Sequence, residues 1–191
     1  MLTESSRNPV AAIVEKEAGW LLLSSLLSSM PKQELEDQVF DILSLWATLF
    51  SGNPEREIQK NEDLASRICS VWSAAVDALT SFVRCFISPN ATNNGILLQP
   101  VMVYLSSALS YILLLQRKEL PNMKPAIDIF IIRTLMAYRA LPDSMAYKSD
   151  HTQIIQLCTF PFRDAARCEE SSCLRLLLDK RDAWLGPWIP G

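Results

Sequence analysis

The residues that could carry out chemistry are few in this sequence, and their spacing does not assemble a recognisable site. The chain contains 5 Cys and 1 His. Cys168 and Cys173 are the closest pair of cysteines, but no second pair or nearby histidine completes a tetrahedral zinc site. His151 precedes Cys158 by seven residues, which matches neither two ligands on one helix turn nor a nucleophile–base motif. We therefore interpret His151 as a solvated side chain and Cys158 as a packed one.

Other sequence signatures of catalysis are also missing. The chain has no glycine-rich phosphate loop, no Gly-x-Ser-x-Gly elbow and no His-Glu-x-x-His metal motif. An acidic cluster of Glu34, Glu36 and Asp37 stands at the expected start of a helix, where the helix dipole favours solvated carboxylates. The sequence therefore predicts no catalytic, cofactor-binding or metal-binding residue, and we expect that the protein is not an enzyme.

The composition indicates a helical protein with a sizeable core and no affinity for nucleic acid. Hydrophobic residues make up 49% of the 191 residues, which excludes a disordered chain. Only 5 Gly and few alternating Val, Ile and Thr runs argue against an all-β chain. The net charge is −3, without the basic footprint of a nucleic-acid-binding protein. The cysteines are odd in number and widely spread and the N-terminus lacks a secretory signal, so we expect a cytoplasmic location.

Apolar residues recur at helical spacing between short breaks of Pro, Asn and Gly. The pattern predicts helices over residues 10–28, 31–50, 62–87, 96–116 and 123–140, with weaker helices over 151–158 and 170–183. Pro31 and Pro100 are tolerated where each falls in the first turn of its helix, because the backbone N–H is not needed there. Consecutive helices joined by such short turns must lie antiparallel.

These helices form successive pairs, as in the repeats of an α-solenoid. We predict an all-α fold, namely an α-solenoid of antiparallel helix pairs of the HEAT or armadillo kind. The approximate pairs span residues 9–51, 58–116 and 122–159, and residues 160–191 are irregular. Self-similarity between the pairs is weak, and a helical bundle shows the same alternation of helices and breaks, so a bundle is the alternative arrangement.

The five tryptophans divide into two groups. Trp20, Trp46 and Trp72 recur 26 residues apart on helical stripes, and we interpret all three as core residues. Trp184 and Trp188 stand in a tail rich in Pro and Gly, so we expect them to dock onto a neighbouring repeat or to bind a partner.

The stretch 96–115 has the length of a bilayer span, and no charged residue occurs between Arg84 and Arg117. We favour a central helix that neighbouring helices cover on both sides, because Gln99, Pro100 and three serines make the stretch less apolar than most spans. A membrane span and an interfacial helix are the other interpretations. They lead to the alternative function of a small integral membrane protein anchored by residues 96–115.

The first helix carries a wide apolar arc, formed by residues 21–23 and by Leu26 and Leu27. One partner helix cannot cover such an arc, and the opposite end of the chain also lacks a polar cap. We therefore expect the isolated chain to self-associate, and neighbouring repeats to prevent this.

The amino-acid sequence of the first two helices resembles that of a known protein family. Residues 17–23 read Glu-Ala-Gly-Trp-Leu-Leu-Leu, Met30-Pro31 follows, and residues 41–50 read Asp-Ile-Leu-Ser-Leu-Trp-Ala-Thr-Leu-Phe. In the large HEAT-repeat-containing protein 5 family, a Gly-Trp helix precedes a Leu-Trp…Phe helix across a short Pro turn. The chain is most similar to the plant branch of this family, the SWEETIE-type proteins, and the resemblance continues through residues 146–150 to residues 184–190.

The resemblance implies a scaffold without catalysis and without cofactors. Members of the family are very long α-solenoids that cooperate with clathrin adaptor complexes in endosome–Golgi vesicle traffic and protein localisation, and the plant branch is also linked to carbohydrate metabolism. The implied partners are other proteins and the remainder of a longer solenoid, with peripheral association with Golgi or endosomal membranes and no nucleic acid. Since members are far longer than this chain, the resemblance also implies a fragment, a splice form or a truncated gene model. No binding residue of the family maps onto the sequence.

Overall fold

The structure, a computed structural model, describes residues 9–52, 62–87, 94–118 and 120–142. Every regular element in these ranges is a helix, which confirms the all-α class. The predicted helices over 151–158 and 170–183, the irregular stretch 160–191, and the residues His151, Trp184 and Trp188 lie outside the described residues.

The first predicted pair forms a helix, a short turn and a divided second helix. Helix α1 spans Pro9–Ser29, and α2 spans Lys32–Leu35. A 3₁₀ turn over Glu36–Gln38 then leads into α3, Val39–Phe50. The prediction of one continuous second helix was therefore too simple. All three residues of the 3₁₀ turn are polar and exposed, so no apolar side chain holds this part of the chain against the core.

The next three helices begin and end close to the predicted residues. Helix α4 spans Glu62–Phe86 and α5 spans Asn94–Arg117. A 3₁₀ turn over Pro121–Met123 precedes α6, Lys124–Ala140. Breaks that contain Pro and Asn separate these helices, as expected from the φ restriction and the missing N–H of proline.

Pro100 occupies a different place from the one expected. Helix α5 begins at Asn94, so Pro100 lies in its second turn instead of its first. The proline has no N–H to offer the carbonyl of Ile96. Because Ile96 is largely exposed, water can bind that carbonyl and the helix continues past the proline.

The helices contact one another in an ordered pattern. Helix α1 packs against α4, and α4 also packs against α6. Helix α3 contacts α5, which in turn contacts α4 and α6. The first helices of successive predicted pairs, α1, α4 and α6, are thus neighbours in space, and so are the second helices α3 and α5.

Polar contacts between α1 and α4 reveal their relative direction. Ser24 Oγ donates to Asp77 Oδ2 at 3.1 Å, and the hydroxyls of Ser28 and Ser81 lie 3.2 Å apart. Both pairs are separated by 53 positions, so the two helices advance together and run parallel. The hydroxyls of Ser24 and Ser81, 2.8 Å apart, complete a hydroxyl cluster of Ser24, Ser28, Asp77 and Ser81.

Aromatic rings fill the space between the helices. Trp46 is fully buried, and its indole Nε1 donates to the carbonyl oxygen of Ala75 at 2.8 Å. Its ring lies 5.2 Å from Trp20 and 5.6 Å from Phe82, so one side chain of α3 touches both α1 and α4. A second series of rings packs Phe50 against Trp72, and Trp72 against a tyrosine of α5.

The interpretation of the three internal tryptophans as core residues is confirmed. Trp46 and Trp72 are buried, and the half-buried Trp20 packs against the same core. The predicted stripe of α3 also agrees with the structure, because Ile42, Leu43 and Phe50 are buried with Trp46.

We expect Trp46→Ala to lower the free energy of unfolding by about 3–5 kcal/mol, since it removes ring contacts to two helices and leaves a cavity. Trp46→Phe keeps a ring and loses only the indole hydrogen bond to the Ala75 carbonyl, which still accepts its helical bond within α4, so its loss should be smaller, about 1–2 kcal/mol. Urea unfolding followed by circular dichroism measures both. A loss below about 1 kcal/mol for the alanine variant would contradict the placement of this ring in the core.

The hydroxyl cluster provides a second test, with a matched control on the next residue. Ser24→Ala leaves Asp77 and Ser81 without their buried partner and should cost about 1 kcal/mol. Ser25→Ala removes a hydroxyl from an exposed position of the same helix and should change stability by less than about 0.5 kcal/mol. Equal effects of the two variants would show that the cluster does not hold α1 against α4.

Candidate interaction surfaces

The acidic residues singled out in the sequence lie in water. Glu34, Glu36 and Asp37 are all exposed around the start of the second helical segment. Lys32 Nζ lies 4.0 Å from a carboxylate oxygen of Glu36, one helix turn away, in an exposed pair that contributes little to stability. Within the described residues, no group of three or more His, Cys, Asp or Glu side chains is placed to hold a metal ion.

The two described cysteines are free thiols in different surroundings. Cys69 is buried in α4, and desolvation by burial raises the pKa of its thiol to about 12. Cys85 is half-buried; burial raises the pKa of its thiol, and the positive charge of Lys32 partly opposes that effect. Because a thiolate is the reactive form, Cys69 acts as a small apolar core residue at neutral pH. Cys158, Cys168 and Cys173 lie outside the described residues.

Helix α1 presents apolar side chains on two opposite faces. Its inner face packs against the core through the half-buried Trp20 and the buried Ser24 and Leu27. On the outer side, Leu22 is 61% exposed and Leu26 is 41% exposed. Leu21 is also exposed, about 100° around the helix from Leu22, and we call these three residues the outer leucine surface. The predicted wide apolar arc of the first helix is confirmed: Leu23 and Leu27 contact the core while the outer leucine surface faces away from it.

Helix α3 contributes two further exposed apolar side chains. Phe40 and Leu45 are each at least half exposed, on the two flanks of the stripe that carries Trp46 and Phe50. Single exposed apolar residues are common on soluble proteins, so these two carry less weight than the cluster on α1.

Helix α5 is covered on one side only. Its inner face is buried at positions such as Leu105, Leu109 and Ile112, whereas Ile96 and Val103 are well exposed. The expectation that neighbouring helices cover both sides of this stretch is therefore not met within the described residues. The outward-facing hydroxyls of Ser107 and Ser110 donate to carbonyl oxygens one turn earlier, at 3.0 and 2.9 Å.

Two of the described helices are long and apolar enough to cross a membrane. The segment Gly95–Arg117 has a mean hydropathy of 1.7 with 33% of its most apolar window buried, and Asp63–Phe86 has 1.2 with 67% buried. Core helices of soluble proteins reach the same length and hydropathy, so α4 fits the core interpretation and α5 is compatible with either a core helix or a span.

Sequence reasoning missed the polar contacts that join the helices. These include the hydroxyl cluster, the bond from the Tyr104 hydroxyl to the carbonyl of Leu43 at 3.3 Å, and the bond from Arg133 Nη1 to Ser73 Oγ at 3.1 Å. The one available signal was a serine at a position of the inward stripe of α1 where periodicity expects an apolar residue. Periodicity alone cannot show which polar residue of another helix lies opposite.

Comparison with known proteins provides one informative match. No protein-family model and no solved structure matches the chain. Protein SWEETIE of Arabidopsis thaliana is 62% identical over 191 residues, which is 100% of this chain. The chain spans only about 8% of the length of that relative. Along its whole length, the chain is thus similar to one segment of Protein SWEETIE, in agreement with the SWEETIE-type resemblance of its two tryptophan-bearing helices.

Proposed function

We propose that this chain is a non-catalytic scaffold segment of an α-solenoid that serves vesicle traffic and protein localisation between endosomes and the Golgi. The observation that carries the proposal is the 62% identity to Protein SWEETIE over the entire chain. The family that the sequence resembles implies clathrin adaptor complexes as partners and a peripheral position on Golgi or endosomal membranes. The same resemblance connects the plant branch with carbohydrate metabolism.

The helix contacts support a solenoid over a closed bundle. In a solenoid, the first helices of successive units form one row and the second helices form another. The contacts of α1 with α4 and of α4 with α6 correspond to the first row, and the contact of α3 with α5 to the second. The parallel direction of α1 and α4, with equivalent residues 53 positions apart, is what a repeated unit produces. Neighbours in an up-and-down bundle are antiparallel.

The polar chemistry of the described residues also favours a scaffold. The most perturbed thiol, that of Cys69, is protonated and buried. The hydroxyl cluster and the bond between Arg133 and Ser73 join one helix to another, so they serve packing. The outward-facing residues of α1, α3 and α5 include large apolar side chains of the kind that contact other proteins.

The adaptor proposal is tested on the long SWEETIE-type protein purified from plant membranes in two forms, intact and with this segment deleted. We expect clathrin adaptor complexes to co-purify with the intact protein, because the solenoid acts through its assembled surface. Loss of the adaptors in the deletion form would assign their binding to this segment. Absence of adaptors from the intact protein would contradict the traffic proposal.

The alternative, a small integral membrane protein anchored by residues 96–115, draws on the one-sided burial and the hydropathy of α5. Membrane fractionation separates the two proposals. A scaffold held to membranes by protein contacts should be released by alkaline carbonate, whereas a spanning helix stays in the bilayer until detergent is added. We expect release by carbonate, and retention of the protein in the membrane pellet would favour the alternative.

A further inference from the structure

We propose that the outer leucine surface of α1 is the docking site for one more helix, parallel to α1, from a region of a SWEETIE-type chain outside these 191 residues. This inference rests on the proposed solenoid, and it names the face and the kind of helix through which the solenoid continues.

The distribution of side chains on α1 is that of a helix buried on two sides. Leu27 on the inner face is buried, while Leu22 and Leu26 on the outer side are 61% and 41% exposed. A helix that borders water on one side normally carries charged residues on that side. From Ala18 to Ser29 the helix has no charged residue on any face. The outer face is therefore poorly suited to water and well suited to another helix.

The neighbouring helix shows what the completed arrangement looks like. Helix α4 lies between α1 and α6, and its buried residues point to both neighbours, so that even small side chains such as Ala65 and Ala78 are inaccessible. Among the described helices, α1 packs extensively only against α4, apart from the contact of Trp20 with Trp46 of α3. A helix on the outer leucine surface would extend the row by one position and would continue an interface that already exists.

A SWEETIE-type protein is long enough to supply this helix from outside the 191 residues. The 191 residues match only about 8% of the length of Protein SWEETIE, so most of that relative lies outside the aligned region. The next helix of a solenoid row belongs to the adjoining repeat of the same chain. This favours another region of the long protein as the occupant over a second copy of the 191 residues.

The outer face also specifies the chemistry of the occupant. Ala18, Leu22, Ser25 and Ser29 share one face by their spacing, and small residues alternate there with leucine. Beside them, a Cβ atom added at Gly19 would meet nothing within 4 Å, which leaves room for a large side chain. The matching helix has an uncharged face whose aliphatic or aromatic side chains fit over Ala18 and Gly19, next to the projecting leucines.

Cysteine labelling tests this inference. A cysteine is placed at Leu22 in the 191-residue chain and at the aligned position in full-length Arabidopsis Protein SWEETIE, and its reaction with a maleimide is followed by mass spectrometry of the labelled peptide. The short chain is labelled at a dilution at which light scattering shows a monomer. We expect fast labelling there and labelling at least about tenfold slower in the long protein, where the cysteine reacts only after local opening.

The control variant is Asp37→Cys, which places the thiol in the exposed 3₁₀ turn away from the outer leucine surface. It should react at similar rates in both proteins. Equal rates for the cysteine at position 22 in the two proteins would overturn the inference. Protection in the long protein that dilution relieves would assign the surface to a second copy, and protection already present in the dilute short chain would assign it to another segment of the 191 residues. Either result would overturn the inference as well. Labelling does not depend on adaptors, so this result is independent of the adaptor test.

Discussion

The indole of Trp46 is the contact on which the arrangement of the other helices depends. It projects from α3, touches the ring of Trp20 on α1 and that of Phe82 on α4, and satisfies its N–H at the carbonyl of Ala75. An aromatic side chain of this size contributes a large buried area, and its single polar atom would be costly to bury without a partner. Trp46 thus joins α3 to both α1 and α4. It connects the neighbouring helices α1, α4 and α6 with the neighbouring helices α3 and α5.

The polar contacts fix how the helices are aligned along one another, which apolar packing alone does not. Burial of leucines favours contact between α1 and α4, but it discriminates poorly between neighbouring alignments of the two helices. The hydroxyl cluster is directional, and a shift of α1 along α4 would separate Ser24 from Asp77 and leave polar groups unpaired. Arg133 and Ser73 make a comparable contact between α6 and α4. Apolar area thus holds the helices together, and a few hydrogen bonds align them.

The sequence predicted the features that depend on neighbours along the chain. The Pro and Asn breaks placed the ends of α4, α5 and α6 to within a few residues, and helical spacing identified Trp46 as a core residue. The wide arc of leucines on α1 also correctly predicted that this helix has an exposed apolar face. Features that depend on neighbours in space were missed. The one-sided burial of α5 and the hydroxyl cluster each follow from where a different helix lies, and periodicity carries no information about that. The 3₁₀ turn before α3 and the position of Pro100 depend on which backbone groups are exposed to water, and periodicity missed them too.

The parallel direction of α1 and α4 distinguishes a row of repeated helices from an up-and-down bundle, in which neighbours are antiparallel. Distances between spin labels measure it directly in a variant whose native cysteines are replaced, with labels on the exposed residues Glu15, Arg67 and Arg84. Given the parallel alignment and a rise of about 1.5 Å per residue, the pair at positions 15 and 67 should be closer than the pair at 15 and 84 by about 15 Å. The reverse order, with positions 15 and 84 the closer pair, would mean that the helices are antiparallel and would contradict this account.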